Sequence, residues 1–183
     1  MTKYISILRG INVGGQKPIK MEALRMTYES LGYGHVTTYI QSGNVIFTGE
    51  DLDRNEMAEI ISRQIKKDFG FEVPVIVLSL DKLKKVINEN PFLCDLKKDH
   101  SFLYITLLAS NPGSFDKKTI EQRKQKGEEI AFMDDVIYLW CPNGYGKTKL
   151  NNNFLEMKLK VTATTRNWKT MNELFQIAKQ ITK

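Results

Sequence analysis

The residues of this sequence that could do chemistry are cations, amides and glycines gathered in four short stretches. RGINVGGQKPIK, residues 9–20, sets Arg9, Asn12, Gly14 and Gly15 between an apolar run and a helical pattern. Backbone N–H groups at paired glycines and at a helix start can cradle an anion, and an arginine adds a charged fork. QSGN, residues 41–44, offers the amide and hydroxyl groups of Gln41, Ser42 and Asn44. CPNGYGKT, residues 141–148, ends in Lys147 and Thr148 as a phosphate-binding loop does. TTRNWKT, residues 164–170, carries Arg166, Asn167 and Trp168.

Each stretch also has a plainer reading. The glycines at 10, 14 and 15 do not fit G-x-G-x-x-G, so a dinucleotide fingerprint is excluded, and glycine in a tight β-to-α turn relieves φ strain. Neither Arg9 nor Asn12 is required by such a turn. In CPNGYGKT the first glycine of G-x-x-x-x-G-K-[ST] is replaced by Cys141, and an antiparallel hairpin leads into it, which is the wrong setting for a P-loop. What survives is an anion contact through Lys147 and Thr148, or an exposed turn. Trp168 either stacks on a planar ligand or plugs a seam between subdomains. Gln41, Ser42 and Asn44 are site residues or ordinary turn chemistry.

Other chemistries find no support. Two histidines, His35 and His100, share no ligand spacing with Cys94 and Cys141, so no metal and no cofactor is expected. No Ser-His-Asp spacing, carboxylate pair or HExxH stands out, which leaves a hydrolytic site unsupported and the question of enzyme activity open. The 183 residues are 42% hydrophobic and 26% charged, ordinary values for a globular chain. Apolar runs such as FLYITLLA fall far short of a bilayer span, and the start lacks a signal-peptide cleavage site, so a cytoplasmic protein is expected. The net charge of +6 favours anionic partners without demanding them. One local excess, DKKTIEQRKQK, is read as a basic helix.

The elements that must position these residues follow from periodicity. KYISILRG reads as a strand with one well-buried face, and Met21, Leu24, Tyr28 and Leu31 mark a helix that ends at Gly32. HVTTYI and NVIFTG around QSG predict a hairpin, and Asp53 with Glu56 opens a helix striped by Met57, Ile60, Ile61, Ile65 and Phe69. FEVPVIVLSL adds a strand that Pro74 marks as an edge or entry position. This β-α-β-β-α-β order predicts an α+β fold of the ferredoxin-like kind, an antiparallel sheet with helices on one face. After a helix through Leu83, Val86 and Ile87, the order repeats: HSFLYITLLAS, the basic helix, EEIAFM and DVIYLW, a helix near NFLEMKL, a strand near Val161, and a last helix opened by Thr170 and Glu173. Two such subdomains are expected, residues 1–90 and 91–183. The first sheet's outer face is expected to show Tyr4 and Phe47.

Four segments together resemble a bacterial family known as domain of unknown function 1697. They are LRGINVGG with Lys20, Met21 and Leu24; TYIQSGNVIF, residues 38–47; GYGKTKL, residues 144–150; and TTRNWKT. The match spans nearly the whole chain, and the RGINVGG and YIQSGN pair is the most specific part. Thr148 stands where the family more often has serine, which keeps the hydroxyl. The resemblance implies a compact α+β bacterial protein and no particular activity.

The expectation for function is one basic pocket, where the subdomains meet, binding an anionic small molecule such as a nucleotide or phosphorylated metabolite. Arg9, Asn12, Gly14, Gly15, Gln41, Ser42, Asn44, Lys147, Thr148, Arg166, Asn167 and Trp168 would line it. The alternatives are a single-stranded nucleic-acid binding module using the basic helix and Trp168, and an interaction protein without a pocket.

Overall fold

The computed structural model describes residues 1–181. Eight strands form two four-stranded antiparallel sheets, ordered β2-β3-β1-β4 and β6-β7-β5-β8. The chain divides into two compact units, Met1–Lys85 together with the chain from Glu173, and Val86–Asn172.

In the first unit β1 (Thr2–Leu8) is central, with β3 (Asn44–Gly49) on one side and β4 (Val75–Ser79) on the other, while β2 (Gly34–Tyr39) closes the far edge. The helices α1 (Met21–Ser30) and α2 (Arg54–Phe69) cover one face. Asp53 caps α2 by accepting the N–H groups of Asn55 and Glu56, as its sequence position implies, and Gly70 ends it with φ 82°. Leu24, Tyr28, Met57, Ile61 and Ile65 from the helices meet Tyr4, Leu8, Val45, Phe47, Val75 and Val77 from the sheet. Order and helix placement are compatible with the ferredoxin-like arrangement.

Tyr4 and Phe47 are therefore not on an outer face. They stack 5.6 Å apart beneath the helices, with Tyr28 and Tyr33 completing the cluster. The physical reason is that β1 is buried on both sides: Ile5, Ile7, Ile46, Ile76 and Leu78 on the opposite face are as inaccessible as Tyr4 and Leu8. Alternation alone then cannot say which residues face the helices.

The second unit repeats the plan with β5 (Leu103–Leu108), α4 (Lys117–Glu121), β6 (Glu129–Met133), β7 (Val136–Trp140), α5 (Asn152–Leu159) and β8 (Ala163–Asn167). Ile120, Leu155 and Leu159 pack on Leu108, Ile137, Leu139 and Ala163. The expected basic helix shrinks to five residues, because Ile120 is its only buried side chain and a helix with no further apolar face has little to hold it. α3 (Leu80–Asn88) follows β4 directly, and α6 (Trp168–Gln180) follows β8 directly. The last helix thus starts two residues before Thr170, with the Asn167 side chain accepting the Thr170 N–H at 2.7 Å as its cap.

Register makes the repeat concrete. Ile7 pairs with the first residue of β3 and Leu107 with the first residue of β7, which aligns Tyr4-Ile5-Ser6-Ile7-Leu8 with Tyr104-Ile105-Thr106-Leu107-Leu108. Leu8 N–H bonds Gly43 O at 2.8 Å, and Leu108 N–H bonds Asp135 O at 2.9 Å. Ser79 and Asn167 occupy matching strand ends, and each caps the helix that follows.

Candidate functional site

The connector from β1 to α1 runs from Arg9 to Lys20, twelve residues where a strand-to-helix link commonly takes two to six. It does not turn the chain straight into the helix. Gly14 and Gly15, with φ 58° and 76°, form the tip of a small hairpin in which Gln16 N–H bonds Val13 O at 3.0 Å and Asn12 N–H bonds Lys17 O at 3.2 Å. Positive φ at both central residues is the two-residue turn that twists with its flanks. The N–H groups of Gly14 and Gly15 have no hydrogen-bond partner among the described residues. Both glycines are exposed.

Asn12 holds the excursion in place. Its Nδ2 donates to Ile19 O and to Gln41 O, each at 2.9 Å, and its Oδ1 accepts the Ile19 N–H at 2.8 Å. One left-handed side chain thus clamps the connector across its base and fastens it to the β2–β3 turn, so Asn12 faces its own loop and the turn. In that turn the buried Asn44 donates to Tyr39 O at 2.9 Å and to Ser42 Oγ at 3.1 Å. Gly43 is required twice over: its φ is 79°, and a Cβ there would sit 2.6 Å from Ile11 Cδ1. Ile40, β-branched and exposed, is held at φ 51°, a left-handed conformation that such residues rarely adopt. Arg9, Asn12, Gly14, Gly15, Gln41, Ser42 and Asn44 are all contributed by this connector and this turn.

Residues 1–21 contain no carboxylate side chain, and the connector carries Arg9, Lys17 and Lys20. Lys17 Nζ donates to Glu72 O at 2.7 Å, and Lys20 is exposed at the start of α1, where it provides no side-chain cap. The sequence motifs do not single out Lys17, and Lys20 enters only through the family resemblance and not as a site residue. The missing acidic residues over 21 positions are the signal that would have marked both as site candidates.

In the second unit the GYGKT loop is not a phosphate cradle. Tyr145–Lys147 is a single 3-10 turn, and the next helix begins five residues after Lys147, capped by Asn151, which accepts the Phe154 N–H. Thr148 points inward, its hydroxyl accepting the Leu150 N–H at 3.1 Å and bonding to Cys141. Burial, with Glu128 nearby, pushes the Cys141 thiol up to about 12, so it stays protonated and unreactive. Lys147 is exposed.

Arg166 lies beside Ile105 on the sheet face away from α4 and α5. Its Nη1 donates to Thr164 Oγ1 at 3.1 Å and to Thr165 O at 2.9 Å. Loss of water pulls the guanidinium down to about 10, which leaves it charged at neutral pH. Asn167 is committed to capping α6, and the Trp168 ring meets His100 edge-to-face at 6.0 Å. On the opposite face Thr165 Oγ1 joins Thr106, Tyr145 and Asn152 in a network of 2.6 to 3.0 Å contacts that no sequence motif announced.

Among the described residues no cluster of His, Cys, Asp or Glu is arranged to hold a metal ion, and no helix is long and apolar enough to cross a membrane.

Two α+β units with one strand order, each bearing polar loops at its strand ends, define the class of protein. The family described as Protein of unknown function (DUF1697) matches residues 1–138, and the chain belongs to that family. Among solved structures it is similar to the conserved bacterial protein SP0830 from Streptococcus pneumoniae. Identity is 26% over 97% of this chain and 98% of that one, with a TM-score of 0.74. No curated protein matches.

Proposed function

We propose that the first unit binds an anionic small molecule, a nucleotide or a phosphorylated metabolite, on the surface made by residues 9–20 and 40–44. The observation that carries this reading is the Asn12 clamp: three hydrogen bonds hold rigid a connector about twice as long as the fold needs. A rigid loop that exposes two glycine N–H groups and bears three cations with no carboxylate has lost little freedom still to be paid on binding an anion. Arg9 supplies a planar fork suited to phosphate or carboxylate, and Lys20 supplies a point charge beside the first turn of α1. Gln41 and Ser42 lie next to the clamp and contribute hydrogen bonds to the non-charged part of the ligand.

A thermal-shift screen of nucleoside triphosphates, sugar phosphates and pyrophosphate tests the reading. A ligand at a hundred times its Kd stabilises by about 2.7 kcal/mol, so a binder raises the Tm by several degrees. Lys20→Glu is expected to abolish that rise while leaving the unliganded Tm within about a degree, since Lys20 is exposed. A panel with no response, or a response that survives Lys20→Glu unchanged, contradicts the assignment.

A further inference from the structure

The geometry points to a surface for single-stranded nucleic acid on the second unit, built from residues 122–127 and the loop at 141–149. These segments are fastened together in space by contacts that span 17 and 22 positions. After α4 the chain turns back tightly, with Arg123 N–H on Ile120 O and Lys124 N–H on Glu121 O. Gln125 Nε2 then donates to Lys147 O at 2.9 Å, and Asn143 Nδ2 donates to Lys126 O at 3.4 Å. At Gly127, φ is 87° and a Cβ would come within 3.3 Å of Pro142, so the two segments touch closely there. Of the two acidic residues that flank this run, Glu128 is buried, with Oε2 accepting the Gln125 N–H at 2.8 Å, and Glu121 is exposed at the end of α4.

The result is a patch that gathers Arg123, Lys124, Lys126, Lys147 and Lys149 with no carboxylate in either segment. All five are exposed, and among the described residues none of the four lysines has an ion pair or a side-chain hydrogen bond. Four lysines on two joined segments concentrate positive charge, and a polyanion that binds there releases its counterions. The patch also has a flat surface. The Arg123 guanidinium sits over the Phe154 ring at 5.5 Å, whereas Tyr145, in the loop itself, packs on Tyr104 and bonds Thr165. Cations beside the planar Arg123 guanidinium match a single strand, whose phosphates follow the charge while an unstacked base finds a flat cationic surface. A duplex hides its bases, and a lipid surface has no use for a stacking platform.

Fluorescence anisotropy of a labelled oligo-dT against the full chain, repeated across salt concentrations, tests this. Neutralising four phosphates gives a log-log salt slope of about −3. Lys124→Glu with Lys126→Glu is expected to weaken binding by more than tenfold and to flatten the slope by about 1 or more. Both side chains are exposed, so the Tm should not move. The assignment is overturned by an oligonucleotide that does not bind at low salt, by equal affinity for the double variant, by tighter binding of a duplex of the same length, or by binding to phosphatidylserine vesicles in place of the oligonucleotide.

Discussion

Matched register for register, the two units agree where the sheet needs them to and differ where it does not. Tyr4 and Tyr104, Ile5 and Ile105, Ser6 and Thr106, and Leu8 and Leu108 occupy equivalent places. The backbone bond after the central strand is also the same, Arg9 N–H to Pro74 O in one unit and Ala109 N–H to Thr162 O in the other, both at 2.9 Å. Yet Arg9 stands where the second unit has Ala109. On the other outer strand Arg166 stands where the first unit has Leu78, since both pair with the central isoleucine. Each unit therefore carries an arginine at a position its counterpart fills with an aliphatic side chain. The shared strand order does not by itself call for either charge, and Arg166 is tied into its own strand by hydrogen bonds to Thr164 and Thr165. The connectors differ in the same sense: twelve clamped residues follow β1, and eight follow β5.

The largest test of this comparison lies in the β2–β3 turn. Gly43 corresponds to Asp135, both accepting the N–H that ends the central strand. Only Gly43 is pressed against Ile11 and Leu8, so Gly43→Ala combines positive-φ strain with overpacking and is expected to cost about 3 kcal/mol or more in denaturant unfolding. Gly144→Ala meets open space at φ 85° and should cost only about 1 kcal/mol. Equal losses would mean that the turn is not the tight joint described.

Next comes the buried hydroxyl at the centre of each sheet. Ser6 Oγ has the Tyr28 hydroxyl at 2.6 Å, and Ser6→Ala strands that phenol in the core, at about 2 kcal/mol. Thr106→Val removes one contact from a network in which Thr165 keeps Tyr145 and Asn152, so it should cost less than half as much. A double-mutant cycle between Ser6 and Tyr28 gives the coupling directly, and a value near zero would contradict the pairing.

The smallest effect has the opposite sign. Ile40 holds φ 51° in one hairpin, while the other places Asp134 at φ 49°, a residue that tolerates this region better. Ile40→Asn should stabilise the protein by about 1 kcal/mol. If Ile40 serves the ligand surface as well, the same variant weakens binding, a trade of stability against function.

Much of this architecture was legible in the sequence because its signals are local. The Asp53 cap, the α2 stripe and the hairpin around residues 40–43 each declare themselves within a few residues. The Tyr4 and Phe47 orientation did not, since a strand buried on both faces carries no period to read. The length of α4 failed for a related reason: residues 122–126 favour helix by composition, but only Ile120 had a core to enter. The correspondence of YISIL with YITLL is too short to declare a repeat and emerges only from the register. Of the candidate site, the glycines and the clamp residue lay in a recognisable motif. Their geometry depended on Asn12 reaching Ile19 and Gln41, contacts across seven and twenty-nine positions that no short pattern encodes.

The proposed ligand surface depends most on Arg9. Arg9→Ala installs the residue that the second unit already uses at that place, and it keeps the N–H that bonds Pro74. Calorimetric titration of the wild type and Arg9→Ala with the phosphate compound that gives the largest thermal shift is the direct measurement. The account expects binding to fall at least tenfold while the unliganded Tm changes by no more than a few degrees. Undiminished binding by the alanine variant would contradict it.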